Sequence, residues 1–319
     1  MSDADFPLVS LIIPAYNSRA YICDAVDSCL AQTYPNCEIV VVDDGSTDGT
    51  PDLLRTCYGD RIRLIQQANR GAAGARNTGV REARGEYVQF CDSDDRLLPE
   101  KVQAGWQLFQ QMPEIALVYT FAKIVLPDDV TEVPLPDVEL PSGDLFCLLL
   151  CGYGNFVGTS TVMVRRQAVL EVGGFDESLA VAEDWDLWLR LASRWPFGAI
   201  NESLMIYRKR PGSLQSDDVD LAEGRLRVVQ RARAYPRRAE CLDDQAYDEF
   251  EASRYHKLAM LYWEAGRRAD ARGALRAAVD LDPGHAVARR LYIRLSYVIP
   301  ARLASRLIRV GTLLKSLVR

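Results

Sequence analysis

Ile39-Val40-Val41-Val42 runs without a break into Asp43-Asp44-Gly45-Ser46-Thr47-Asp48-Gly49-Thr50. The first four residues are apolar and β-branched, with no polar residue to mark a wet face. Such a strand is buried on both sides, as in a parallel sheet covered by helices. The acids and the glycine then leave its carboxyl end, where open α/β sheets bind ligands. Ser46 or Thr47 can cap the helix that follows. A carboxylate at this point accepts hydrogen bonds from a base N–H or from ribose hydroxyls. The plainer reading is a solvated turn with a helix cap.

The same alternation repeats on either side. Val9 to Ile13 is a β-branched strand that stops at Pro14, and residues 19–32 read as a helix. Thr47 to Cys57 opens a second helix, Ile62 to Ile65 is a short strand, and 72–84 is a third helix. Tyr87 to Cys91 is a strand ending in acids. Pro99 to Met112 starts with Pro-Glu, a helix N-terminal signal. Strand–helix alternation of this kind predicts an α/β fold with a buried parallel sheet. Residues 127–143, rich in proline and acids, read as an exposed loop. Order returns with a strand near 157–164, a helix from about 184 to 194, and short strands with a loop over 197–216. From about 218 the chain becomes helical and rich in Arg and Ala.

Composition narrows the function. Of 319 residues, 48% are hydrophobic and 26% charged, which excludes a disordered or collagen-like chain. The longest apolar run, Leu145 to Cys151, is far short of the ~20 residues of a membrane span. The acidic start, Met1-Ser2-Asp3-Ala4-Asp5, is unlike a signal peptide, so a cytoplasmic protein is expected. Eight cysteines are too sparse for a disulfide scaffold and are expected to stay reduced. With only two histidines, a Cys/His zinc site or a Ser-His-Asp triad is disfavoured, and a metal would fall to carboxylates.

The net charge of −6 hides a split of −16 over residues 1–223 and +10 over 224–319. Two parts with different partners are expected. Tyr255 to Pro283 contains Leu258 to Gly266, then Ala271 to Ala278, then Asp282-Pro283. This resembles a tetratricopeptide repeat: helix, Gly turn, helix with small residues, Asp-Pro stop. One copy cannot bury its face alone, so it is either a packing appendage or a surface for a protein partner or self-association. Beyond Pro300, Leu303, Leu307, Val310, Leu314 and Leu317 share one helical face, flanked by Arg302, Arg306 and Arg309. The pattern suits a helix lying on an anionic membrane surface; the alternative is packing on the preceding helices.

Four further stretches sit where a ligand would. Pro14-Ala15-Tyr16-Asn17 closes the first strand and is, alone, ordinary turn chemistry. Asn69-Arg70-Gly71-Ala72-Ala73-Gly74-Ala75-Arg76-Asn77 leads small residues and two arginines into a helix; both features suit phosphate, but the spacing is not that of a P-loop. Cys91-Asp92-Ser93-Asp94-Asp95 crowds three acids into four residues, which favours Mg²⁺ or Mn²⁺ bridged to a diphosphate. Glu183-Asp184 precedes an aromatic-rich helix, and is a helix cap or a general base beside an apolar wall.

Taken together and in this order, these elements resemble the family 2 glycosyltransferases of the GT-A fold, over about residues 8–212. The resemblance implies a Rossmann-like, mostly parallel sheet and an inverting transfer of one sugar from a nucleotide-diphosphate sugar, of UDP or GDP type, to a saccharide or lipid-linked acceptor. It implies that Pro14, Ala15 and Tyr16 line the nucleoside pocket and that Asp44, with Asp43, binds the base. Arg76 or Arg70 would face the diphosphate or uracil. Asp92, with Ser93 beside it, would contact ribose or metal, and Asp94 would ligate the metal, Mn²⁺ or Mg²⁺. Asp184 would be the base and Glu183 its support. The family segment at Tyr207-Arg208 often has His where Arg210 stands here. The Gln-x-x-Arg-Trp element of processive synthases is absent, which favours single additions. Acceptor choice would rest on residues near 150–165 and the loop 127–143. The expected organisation is a GT-A domain over 1–217, a helical region over 218–299 with the repeat-like hairpin at about 252–283, and a basic tail over 300–319. Polysaccharide, lipopolysaccharide or glycolipid assembly is the expected setting, peripheral to the inner face of the plasma membrane and without nucleic acid. The competing reading is a catalytically silent scaffold that binds a partner through its helical region.

Overall fold

The computed structural model describes residues 6–126, 132–133, 138–151, 157–209 and 219–296. In chain order the elements are β1 (Val9–Ala15), α1 (Ile22–Leu30), β2 (Cys37–Asp43), α2 (Thr50–Tyr58), β3 (Arg63–Gln66), α3 (Gly71–Glu82), β4 (Tyr87–Phe90), β5 (Arg96–Leu97) and α4 (Lys101–Gln111). Then come β6 (Leu117–Val125), β7 (Glu132–Val133), α5 (Phe146–Cys151), β8 (Val162–Arg165), α6 (Arg166–Glu171), α7 (Glu183–Ala192) and β9 (Phe197–Arg208). The helices α8 (Val219–Ala232), α9 (Arg238–Cys241), α10 (Asp244–Glu264), α11 (Arg268–Leu281) and α12 (Ala286–Ser296) follow.

The strands form one sheet in the order β3-β2-β1-β4-β8-β6-β9-β5, with β7 beside β6. One half is parallel: β1 pairs with β2 and β4, and β2 with β3. In the other half β8 runs antiparallel to β4 and β6, while β6 and β9 are parallel. The apolar runs of β1 and β2 are buried on both faces, as their sequence requires. Leu11, Ile13 and Val41 join the core with Val26, Val102 and Phe109, while Val40 and Val42 meet Ala75 of α3 on the other side. That helix lies so close that a Cβ on Gly79 would sit 2.3 Å from Ile12 Cγ2, so only glycine fits there. Because β1, β2 and β4 are parallel, Ala15, Asp43 and Phe90 end at one edge of the sheet.

The chain divides into two compact units. The first holds Met1–Gln215 and Ala234–Cys241, the second Ser216–Arg233 and Leu242–Arg319. Residues 234–241, inside the expected helical region over 218–299, fall in the first unit. In the second unit α10 and α11 turn at Gly266, whose φ of +78° is a left-handed conformation that glycine adopts without steric cost. They pack through Ala252, Ala259, Ala274 and Ala278, with Ala288 of α12. Helix α8 joins through Tyr247, which donates to the Val229 carbonyl (2.5 Å), and through Arg233 paired with Asp248 and Glu251. The apolar cluster of the repeat-like hairpin is thus extended by α12, while these α8 contacts fall on the first turns of α10. Residues 300–319, and Arg210 to Ser213, lie outside the described residues.

Candidate active site

A cleft of about 450 Å³ opens at the shared strand edge, lined by Pro14, Ala15, Tyr16, Ser18, Asp44, Asn69, Gly71, Ala72, Ala75, Arg76, Asp92, Ser93 and Asp94. Its first wall is the loop after β1. Asn17 takes a left-handed φ of +48°, which its short polar side chain tolerates. Its backbone N–H donates to Ser46 Oγ and its Oδ1 accepts from Thr47 N, both at 2.9 Å. Those bonds lock the loop after β1 to the one after β2. Tyr16 is left half exposed, its ring available to the cleft. Asp44 is buried and oriented from behind: its Oδ1 accepts from Gln67 Nε2 (2.6 Å) and Arg70 N (2.9 Å). Asp43 is buried too, with Oδ1 unpartnered among the described residues, but it does not line the cleft.

The acids after β4 divide. Asp92, Ser93 and Asp94 line the cleft, and Ser93 Oγ lies 2.7 Å from Ser18 Oγ. Asp95 turns inward, accepting from Ser160 Oγ (2.6 Å) and Arg208 N (3.3 Å). Burial, then the charges of Asp92 and Asp94, push its pKa well above the usual carboxylate range.

Arg76 joins this group to the start of α7. It donates to Asp92 Oδ1 (2.8 Å) and Glu183 Oε1 (2.7 Å), and its guanidinium lies 5.5 Å from the Phe175 ring centroid. Burial opposes its charge, but the carboxylates of Asp92, Glu183 and Asp184 outweigh that and raise its pKa. The arginine is therefore a fixed cation at the cleft. The other sequence candidate, Arg70, turns its guanidinium to Glu177 (2.6 Å), and only its backbone N–H serves the site. Asn77, one turn beyond Gly74, holds the next loop. It donates to Phe175 O (2.8 Å) and accepts from Phe175 N (2.8 Å).

Glu183 and Asp184 open α7 after Ala182, whose φ of +62° is rare for a residue with a Cβ. Indole N–H groups anchor the helix: Trp185 donates to Leu149 O and Trp188 to Val157 O, both at 2.9 Å. Asp184 Oδ1 accepts from Trp185 N (2.7 Å).

Among the described residues no group of three or more His, Cys, Asp or Glu is arranged to hold a metal. The donor set nonetheless suits a hard cation shared with a ligand. Asp92 and Asp94 both face the cleft, and Mg²⁺-type sites commonly use one or two carboxylates plus substrate phosphates. Ser18 and Ser160 also serve the site and were not legible as such, while Asn69 and Gly71 line the cleft within the Asn69 to Asn77 stretch. Ser18 adjoins the Pro-Ala-Tyr-Asn turn, which was the available signal. Ser160 acts through a partner 65 residues away.

A nucleotide-sized cleft at the carboxyl edge of a Rossmann-like sheet, with acids on two walls and a buried arginine between them, defines a GT-A glycosyltransferase. Residues 10–173 match the family Glycosyl transferase family 2, and the chain belongs to that family. An uncharacterized glycosyltransferase of Rickettsia felis is 32% identical over 203 residues, covering 63% of this chain and 34% of that protein. The chondroitin synthase of Escherichia coli is 36% identical over 203 residues, 61% of this chain and 28% of that one. The chain thus spans about a third of the length of these relatives. Two solved structures share the fold. S. aureus TarS 1–349 in complex with UDP-GlcNAc has a TM-score of 0.64 at 21% identity, covering 93% of this chain and 87% of that one. The mannosyltransferase PcManGT of Pyrobaculum calidifontis, in complex with GDP-Man and Mn²⁺, has a TM-score of 0.58 at 21% identity, covering 93% and 86%.

Proposed function

We propose that the protein moves one sugar from a UDP- or GDP-linked donor to an acceptor hydroxyl, with inversion, in the assembly of a polysaccharide or glycolipid. The observation that carries this is the Asp92–Arg76–Glu183 bridge, which ties an acid of the donor cleft to the first residue of α7. Tyr16 and Ala15 form the wall for the nucleoside and Asp44 reads the base. Asp184 is the base, the role the family resemblance gives it, and Glu183, bound to Arg76, is its support. It takes the acceptor proton as the acceptor oxygen bonds to the anomeric carbon and the bond to the diphosphate breaks, through an oxocarbenium-like transition state. Arg76 adds positive charge where negative charge builds on the leaving group. Asp94 and Asp92 would hold Mn²⁺ or Mg²⁺, which supplies further neutralisation of the diphosphate. The domain reading that accompanies this is a GT-A domain over 1–217 with a helical extension.

Asp184→Asn keeps size but cannot accept a proton. Transfer from a panel of UDP- and GDP-sugars is expected to fall by roughly 10²–10⁴-fold, with UDP affinity little changed. Near-normal turnover would move the base elsewhere, with Glu183 the first suspect. No hydrolysis or transfer by the unmodified protein with any donor would favour the silent-scaffold reading. For the metal, UDP binding measured by calorimetry is expected to tighten with Mn²⁺ over EDTA, and Asp94→Ala to remove that gain. Equal affinity in both buffers would sink the metal role.

A further inference from the structure

A second cavity, of about 550 Å³, lies beside the donor cleft. The two share one wall residue, Asp92. The new cavity is polar at one end only. There Ser160 Oγ accepts from Asp92 N (2.9 Å) and donates to Asp95. Thr120 and Thr161 continue the same end, joined through Lys101 beneath them: Nζ donates to Thr120 Oγ1 (3.2 Å) and Thr161 O (2.5 Å). Apart from Glu139 the rest of the wall is largely apolar, formed by Phe121 and Ile124 of β6, Met205 and Tyr207 of β9, and Leu148 of α5, together with Val138, Leu140 and Pro141. Leu148 is 46% exposed and Val138 59% exposed, an unusual use of large apolar side chains on a surface. The ionisable residues lining the cavity are Asp92, Asp95 and Glu139, all acids, and among the described residues no Lys or Arg lines it.

We infer that this cavity receives the acceptor, and that the acceptor is an uncharged alcohol whose far end is apolar: a glycoside carrying an alkyl or aryl group. The inference rests on the transferase reading and names its substrate class. The polar end adjoins Asp92, so a hydroxyl there borders the donor cleft. Glu183 is tied to the same Asp92 through Arg76, which puts the start of α7 at that junction. Pockets of this volume hold a small organic ligand. Apolar walls reward burial of hydrocarbon. An anionic acceptor would meet the carboxylates of Asp92 and Glu139 and, among the described lining residues, no cation, an unfavourable placement in a partly desolvated site.

The test is a set of acceptors at matched sugar: methyl, octyl and 4-nitrophenyl glucosides, galactosides and N-acetylglucosaminides, with the 4-nitrophenyl glucuronide as the anionic member. Initial rates are read with a UDP- and GDP-sugar panel, octyl glycosides being kept below micelle formation. For the sugar that is used, KM is expected at least ten-fold lower with the octyl or the 4-nitrophenyl group than with methyl, and the glucuronide is expected to be at least ten-fold worse than its neutral counterpart. Which of the two groups wins tells a lipid-like from an aryl acceptor. Leu148→Glu adds a charge at an exposed position. It is expected to raise KM for the favoured glycoside at least ten-fold, and UDP affinity checks the donor cleft in parallel. Equal KM for methyl, octyl and aryl acceptors, or a KM unmoved in Leu148→Glu, overturns the inference and leaves the transferase reading intact. No turnover with any donor, even as hydrolysis, removes both.

Discussion

Arg76 and Lys101 are both buried in the first unit, and their surroundings differ. Arg76 is neutralised by two carboxylates, and removing one partner of such a buried pair leaves an uncompensated charge that costs about 3–5 kcal/mol. Lys101 donates to a hydroxyl and a carbonyl and, among the described residues, pairs with no acid, and burial pulls its pKa down to about 7. Below pH 7 the lysine is charged in folded and unfolded chains alike, and the cost of burying that charge is fully present. Between about pH 7 and the ordinary value of 10.5 the unfolded chain holds a proton that the folded one has lost, so stability rises with pH. The shift corresponds to roughly 5 kcal/mol at most. Lys101→Met leaves Thr120 Oγ1 and Thr161 O without that donor, a loss of about 1–3 kcal/mol. The variant is therefore expected to melt higher than the unmodified protein at pH 6.5, with the gap closing toward pH 9.5. A gap that stays constant with pH in thermal melts would show that Lys101 is not the group that titrates.

At the scale of elements, α5 has six residues, too few to stand as an isolated helix. Its position comes from other groups. Cys147 is disulfide-bonded to Cys241 of α9, contrary to the expectation of reduced thiols. Arg237 pairs with Asp144 (2.5 Å) and covers the Phe146 ring. The bridge spans 94 residues of sequence, and closing a loop of that length is worth about 2–5 kcal/mol. Reduction, or Cys147→Ser, is expected to lower the urea midpoint accordingly, and Cys57→Ser, at an exposed free thiol, is not. Equal midpoints in oxidised and reduced protein would refute a structural bridge. No pattern of sparse cysteines announces such a pairing. The parallel strands were legible because burial on both faces leaves a continuous apolar run. Strand β9 was not: read as short strands, it is one strand of 12 residues that skips Asn201 and Glu202 against β6, where Thr120 faces Ile200 and Phe121 faces Ser203. A bulge of this kind breaks the period on which strand reading depends. Residues 157–164 gave a 3-10 turn before β8, and that turn is what delivers Ser160 to Asp95. The acid motifs were visible as strand-end clusters. The inward turn of Asp95 and the Arg76–Glu183 pair, 107 residues apart, depend on tertiary packing that no local pattern encodes.

For the whole molecule, the charge split is the property that no single element explains. The basic excess falls in residues 224–319, and part of it in the last stretch, where Arg302, Arg306, Arg309, Lys315 and Arg319 occur without an acid. Among the described residues no helix is long and apolar enough to cross a membrane. The tail itself lies outside the described residues, and the expectation for it rests on sequence. Leu303, Leu307, Val310, Leu314 and Leu317 recur at intervals of four and three, which places them on one helical face. Each base near an anionic surface adds about 1 kcal/mol, screened by salt. Such an attachment would hold the donor cleft near acceptors with apolar ends, the class the second cavity favours. Full-length protein is expected to pellet with phosphatidylglycerol vesicles at low salt, to be released as salt is raised, and to stay in the supernatant with phosphatidylcholine. A chain ending at Ser296 is expected to stay in the supernatant throughout. If full-length and shortened chains both remain soluble with phosphatidylglycerol, the apolar face of the tail is covered by protein and the basic excess serves another partner.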